Sequence, residues 1–150
     1  MQLVIIGFGS QGKVWAQNLR DSGYQISVAL RPNSASIPLA QEMGFSVLKL
    51  GIDNFSGQQN FALLTPDTSH QQFFKGFSDS FAPESRFIYA HGYSYTKNHW
   101  LQTLPQFSHL LLAPKSIASE LRRLYLQKGK LGAIYSLEAA KNPEYDQTFL

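Results

Sequence analysis

Gly7, Phe8, Gly9, Ser10, Gln11 and Gly12 form a G-x-G-x-x-G run close to the N-terminus, and an anion is the natural guest of that spacing. Gly7 permits a tight turn, Gly9 lets the backbone approach a pyrophosphate, and Gly12 lets a helix pack closely on a strand, while the helix N-terminus offers unpaired N–H groups. The run has the context that gives it meaning. It follows the apolar, β-branched Leu3-Val4-Ile5-Ile6 and precedes Val14, Trp15 and Leu19 at helical spacing. At the end of the next apolar run, an NAD site would carry an acidic residue to accept from the ribose 2′-hydroxyl. This chain has Arg31 there, with Ser34 and Ser36 close behind. A guanidinium pairs with a 2′-phosphate and stacks on adenine, and two hydroxyls donate to the remaining oxygens, so the group reads as an NADP(H) site. The competing reading is a surface arginine in a Pro/Ser turn, with Ser36 capping the next helix.

Three further polar residues directly follow apolar runs: Asp67 after Phe61–Leu64, His91 after Arg86–Ala90, and Lys115 after His109–Ala113. If those runs are parallel strands, all three emerge at the carboxyl edge of the sheet, where ligands bind in open α/β folds. His91 and Lys115 are there the candidate catalytic pair, able to bind an anionic substrate or move a proton. Polar residues at strand ends also serve as caps or simply face water.

The elements that position these residues alternate. Strands are expected at Leu3–Ile6, Ile26–Leu30, Phe45–Leu48, Phe61–Leu64, Arg86–Ala90, His109–Ala113 and Ala133–Leu137. Helices are expected after Gly12, closed by Asp21-Ser22-Gly23; from Ser36-Ile37-Pro38 to Gly44; and over Ser119–Gln127. Another is expected to open at Thr68-Ser69-His70-Gln71, which resembles a capping box, and to carry Phe73, Phe74 and Phe77. The segment between Ala90 and His109 carries no assignment. This order predicts a doubly wound, mostly parallel α/β sheet with helices on both faces, a Rossmann-like fold. The chain has 150 residues and no internal linker or repeat, so residues 1–150 are expected to form a single domain.

Composition removes other classes of function. With no cysteine there is no disulfide, thiolate nucleophile or Cys-ligated zinc, and the four histidines lack metal-ligand spacing. The net charge is only +3, and the dense basic stretch Arg122, Arg123, Lys128, Lys130 falls at the end of an expected helix, where cations complement the macrodipole. No nucleic-acid partner is expected. Apolar runs are far short of the ~20 residues that span a bilayer, and the N-terminus has no signal-like basic region, so the expected setting is cytoplasmic.

In order along the chain, Gly7–Gly12, Asn18–Gly23, Leu30-Arg31-Pro32 with Ser34 and Ser36, Gly44-Phe45, Leu64 with Pro66-Asp67, Ala90-His91-Gly92, Ala113-Pro114-Lys115 and Arg122-Arg123 with Tyr125 resemble the N-terminal NADP-binding domain of ketol-acid reductoisomerase. The resemblance implies that Phe8, Gly9, Ser10 and Gln11 hold the pyrophosphate, and that Arg31, Ser34 and Ser36 hold the 2′-phosphate. It implies that Asp67, Thr68, Ser69 and His70 form a loop over the other half of NADPH, and that His91 and Lys115 match the family's active-site histidine and lysine. The family reaction is a magnesium-dependent alkyl migration in an acetohydroxy acid, followed by reduction by NADPH, in branched-chain amino-acid biosynthesis. Its metal ligands belong to a separate helical domain. That domain is expected to be absent from these residues, so magnesium enters only if a second domain supplies its ligands, and the chain alone is expected to be inactive. The pattern breaks at Ser116-Ile117-Ala118-Ser119, where the family has Gly-Pro-Gly-His. A stand-alone NADP(H)-binding sensor or regulatory module, a short-chain reductase using His91 or Lys115 directly, and a homo-oligomer remain open on sequence.

Overall fold

The computed structural model describes residues 1–53, 55 and 57–138. Seven strands form one sheet: β1 (Gln2–Ile6), β2 (Gln25–Leu30), β3 (Ser46–Lys49), β4 (Asn60–Leu63), β5 (Arg86–Tyr89), β6 (Ser108–Pro114) and β7 (Ala133–Glu138). Their order is β3-β2-β1-β4-β5-β6-β7, all parallel except β7, which runs antiparallel to β6. The chain reverses its direction of travel across the sheet between β1 and β4, the position at which ligands bind in doubly wound folds.

β1 shows why the sheet must be covered twice. Val4 and Ile6 enter one apolar layer, with Phe61, Phe87, Tyr89 and the helix residues Phe74 and Trp100. Leu3 and Ile5 alternate into the other, with Val28, Ile88, Trp15 and Ala16. A strand with both side-chain rows in apolar layers reads as a continuous hydrophobic run, as Leu3-Val4-Ile5-Ile6 does. The helices divide accordingly. The second layer takes residues of α1 (Ser10–Asp21) and α2 (Ile37–Glu42), and Leu121 of α6 (Ala118–Leu126) packs against it. The first takes residues of α3 (His70–Phe77), α4 (Gly92–Lys97) and α5 (Trp100–Thr103).

α1 ends where the sequence places its stop. Gly23 has φ +89°, its N–H donates to Arg20 O at 2.9 Å, and Tyr24 N donates to Leu19 O at 3.0 Å, which satisfies the last carbonyls of the helix. One unassigned segment gains structure and one expectation needs correction. The unassigned segment between β5 and β6 folds into α4 and α5, separated by His99 in the left-handed region at φ +46°. The Thr68–Gln71 capping box does not form. Asp67–Ser69 is instead a 3-10 turn running into α3, and the Ser69 hydroxyl donates backward to Pro66 O and Thr65 Oγ1.

The two arginines of the basic stretch are engaged in ion pairs. Arg122 donates to Asn18 Oδ1 and Asp21 Oδ2, both at 2.7 Å, tying α6 to α1, and it holds the Asp21 carboxyl below the usual range. Arg123 pairs with Glu120 one turn earlier on α6.

His109 of β6 is 0% exposed among Phe87, Tyr89 and Trp100. Its Nδ1 lies 2.9 Å from the Tyr89 hydroxyl and its Nε2 3.3 Å from Leu104 O, and burial pushes its pKa down to about 4. The unfolded chain therefore takes up this proton first as the pH falls. The stabilisation is complete above the ordinary value of 6.5 and is lost as the pH drops toward 4, by about 3 kcal/mol in total. Urea denaturation across that window is expected to show the loss and to show a flatter profile for His109→Gln; constant stability would contradict a buried neutral histidine.

Candidate functional site

The turn between β1 and α1 is shaped by backbone contacts that only glycine allows. Gly7 has φ +96°, and its N–H donates to Ala29 O at 3.1 Å; a Cβ there would stand 2.9 Å from Thr65 Cγ2. At Gly12 a Cβ would come within 2.3 Å of the Gly7 carbonyl oxygen, so α1 approaches β1 more closely than any other residue permits. Gly9 differs: a Cβ there would meet nothing within 4 Å. The fold requires Gly7 and Gly12, whereas the space beside Gly9 is open. Gly9 is also the N-cap of α1 and supplies no side-chain cap, so the helix starts without a side-chain partner for its free N–H groups. Phe8 packs edge-on against Phe45, and Ser10 is exposed. Gln11 donates through Nε2 to Ser116 O at 3.5 Å, leaving its Oε1 buried with no partner.

Beside this turn lies a cleft of about 600 Å³. Gly7, Phe8 and Gly9 form one wall, the β2–α2 turn contributes Arg31, Ser34 and Ser36, and Leu64, Thr65, Pro66 and Ser69 come from the loop after β4. The deeper wall is apolar, with Leu50, Phe73 and Phe77. Arg31 is exposed, and Ser34 and Ser36 are half-buried. An uncapped helix start, an open space at Gly9, and a cation with two hydroxyls in one cleft suit a phosphorylated dinucleotide. A smaller hollow of about 310 Å³ between α3 and α5, lined in part by Phe74, Lys75 and Trp100, shares no residue with it.

The loop after β4 is organised from inside. His70 is 2% exposed, with Nε2 2.9 Å from Thr65 O and Nδ1 against the Ser94 hydroxyl. A carbonyl only accepts, so Nε2 carries the hydrogen and Nδ1 accepts from Ser94. Burial lowers the His70 pKa against the pull of the Thr65 carbonyl and of Asp67, whose Oδ1 lies 3.7 Å from Nδ1; that contact is accordingly not an ion pair at neutral pH. His70 thus turns away from the cleft, and of the Asp67–His70 loop it is Ser69 that lines it, with Thr68 exposed alongside.

His91 follows β5 and Lys115 follows β6, both at the carboxyl edge that also carries Arg31 after β2 and the glycine turn after β1. Both side chains are exposed, and neither lines the cleft itself. His91 Nδ1 lies 2.7 Å from Asp67 Oδ2, so Asp67 links the cleft loop to His91, a pairing that residue spacing did not disclose. The Lys115 backbone N–H is held by Gly132 O at 2.9 Å. Among the described residues no group of three or more His, Asp and Glu is placed to hold a metal ion. No helix among them is long and apolar enough to cross a membrane.

The glycine geometry separates fold from binding. Gly12→Ala is expected to lower stability by about 1–3 kcal/mol, because the added methyl meets backbone. Gly9→Ala is expected to leave the denaturation midpoint unchanged and to weaken dinucleotide binding at least tenfold. Equal effects of both substitutions on stability would show that Gly9 is also required by the fold.

Comparison with known proteins gives a consistent result. Residues 1–148 match the family described as acetohydroxy acid isomeroreductase, NADPH-binding domain. A ketol-acid reductoisomerase (NADP(+)) of Tropheryma whipplei is 31% identical over 137 residues, covering 91% of this chain and 40% of that protein. One from Helicobacter pylori is 33% identical over 141 residues, covering 92% and 42%. The chain thus spans about two-fifths of the length of these relatives. Among solved structures, an NADH-preferring ketol-acid reductoisomerase from an uncultured archean superposes with a TM-score of 0.77 at 21% identity, over 97% of this chain and 44% of that one. A glycerol-3-phosphate dehydrogenase from Coxiella burnetii gives 0.76 at 12% identity, over 99% and 49%, a likeness of fold alone. The chain belongs to the NADPH-binding domain family of the acetohydroxy acid isomeroreductases.

Proposed function

We propose that this chain is the NADPH-holding part of a ketol-acid reductoisomerase and that it works with further polypeptide supplying the metal and most of the substrate site. The observation that carries this reading is the single cleft joining the glycine turn, open at Gly9, to Arg31, Ser34 and Ser36. Phe8 to Gln11 would receive the pyrophosphate on backbone N–H groups at the start of α1. Arg31 would pair with the 2′-phosphate while Ser34 and Ser36 donate to it. The bound cofactor supplies a hydride. Lys115 would face the carboxylate of an acetohydroxy acid and His91 a polar oxygen of the same substrate, both from the edge where ligands lie in this fold. The relatives matched in sequence are reductoisomerases, which gives the regulatory-module reading no support. On this reading the magnesium ligands come from the further polypeptide.

The fold is shared with an enzyme described as NADH-preferring, so the fold by itself does not select NADPH, and on this proposal that choice falls to Arg31, Ser34 and Ser36 in the β2–α2 turn. Calorimetric titration is expected to show tighter binding of NADPH than of NADH. Loss of a charge-assisted hydrogen bond costs about 1.5–3 kcal/mol, so Arg31→Ala should weaken NADPH about ten- to a hundredfold and leave NADH nearly unchanged. Equal affinities in the unsubstituted chain would defeat the 2′-phosphate assignment.

A second expectation follows from assigning the metal ligands to the further polypeptide. With acetolactate, magnesium and NADPH, the chain alone should oxidise the cofactor no faster than buffer does. Clear turnover would mean that these residues hold a metal site after all.

A further inference from the structure

His91 Nδ1 has two neighbours that make opposite demands on it. Asp67 Oδ2 lies at 2.7 Å, and the backbone nitrogen of Tyr93 lies at 3.2 Å. A carboxylate only accepts, so the first contact requires a hydrogen on Nδ1; an amide N–H only donates, so the second requires a lone pair there. The distances decide between them. A charged oxygen and a bare ring nitrogen, both rich in electrons, are not held 2.7 Å apart, whereas that separation is ordinary for a charge-assisted N–H···O bond. The weaker Tyr93 contact sits at an exposed helix start where its N–H turns to water at little cost.

Asp67 is the anchored partner. Its side chain is 19% exposed against 74% for His91, and its Oδ1 accepts from the Ser94 backbone N–H at 3.4 Å. Ser94 is in turn held by the buried ring of His70. The carboxylate is thereby fixed by the loop after β4 and by α4 before His91 meets it.

We propose that Asp67 is a positioning residue that holds neutral His91 in its Nδ1–H form, so that the exposed Nε2 carries a lone pair. A histidine free in water favours the opposite form, with the hydrogen on Nε2. The lone pair makes His91 an acceptor for a hydroxyl and a poor neighbour for a carboxylate, which divides the substrate between two residues: His91 takes the hydroxyl of a hydroxy-oxo acid and Lys115 takes its carboxylate. That division rests on the function proposed above; the protonation of His91 does not.

The test is a long-range proton–nitrogen correlation spectrum of the nitrogen-15-labelled chain at about pH 9, where an ordinary imidazole is neutral. His70 and His109 act as internal references, since each places Nε2 against a carbonyl, at 2.9 and 3.3 Å, and so carries its hydrogen there. His91 is expected to show the inverse pattern. In Asp67→Ala the His91 pattern should revert while both references stay unchanged, and Asp67→Asn, which keeps an acceptor oxygen, should retain part of the inversion. An Nε2–H pattern for His91 in the unsubstituted chain, the state that the Tyr93 contact requires, overturns the proposal. So does an inversion that survives Asp67→Ala. If that substitution disturbs the references, the unsubstituted spectrum decides alone. NADPH titration of the same sample keeps the two readings apart: inversion without NADPH binding defeats the proposed function and leaves the Asp67–His91 assignment standing.

Discussion

α1 rests directly on the backbone of the turn that precedes it, with the Gly12 Cα beside the Gly7 carbonyl where no side chain fits. That contact sets the distance between helix and sheet, and much of the remaining architecture is built on it. It brings Trp15 and Ala16 onto Leu3 and Ile5, and so closes one of the two apolar layers. It leaves Gly9, the uncapped start of the helix, on the wall of the cleft. It also offers Asn18 and Asp21 to Arg122, so that α6 is held against the same helix. An anion bound there as proposed would meet N–H groups already fixed in place, and little reorganisation would be required.

At the carboxyl edge of the sheet a buried imidazole, His70, works beside the Asp67 carboxylate. His70 joins the Thr65 carbonyl to the Ser94 hydroxyl and so connects the loop after β4 to α4. Its neutrality matters, because the desolvation penalty of a charged ring at this depth outweighs the pull of the nearby Asp67 carboxylate. His109, equally buried in β6, fixes nothing at the edge and braces Tyr89 in the core. Two rings with the same hydrogen on Nε2 thus serve different ends, and their neighbours alone decide which.

Much of this was legible in the sequence. The seven strands and the helices α1, α2, α3 and α6 follow from apolar runs, glycine stops and helical spacing. Arg31, Ser34, Ser36 and the glycine turn share one cleft, as their positions after neighbouring strands implied. α4 and α5 were not legible. They have six and four residues, too few to show periodicity, and they owe their existence to Tyr95 and Trp100 reaching the core. The inward turn of His70 and the meeting of Asp67 with His91 were hidden for a related reason. Both depend on loops from different strands approaching in space, and no local spacing records that.

The turn between β2 and α2 keeps its hydrogen bonds to itself. Ser34 N donates to Arg31 O, Ile37 N to Ser34 O, and Ser36 N to the Ser34 hydroxyl, while Arg31 projects into water. The glycine turn lacks this independence, since Gly7 is locked to Ala29 and to the loop after β4. Substitutions between Arg31 and Ser36 are therefore insulated from the core, and the segment behaves as an exchangeable cassette. If the 2′-phosphate is held here as proposed, a lineage, or an engineer, can revise nucleotide preference in a few local steps and leave the rest of the architecture untouched.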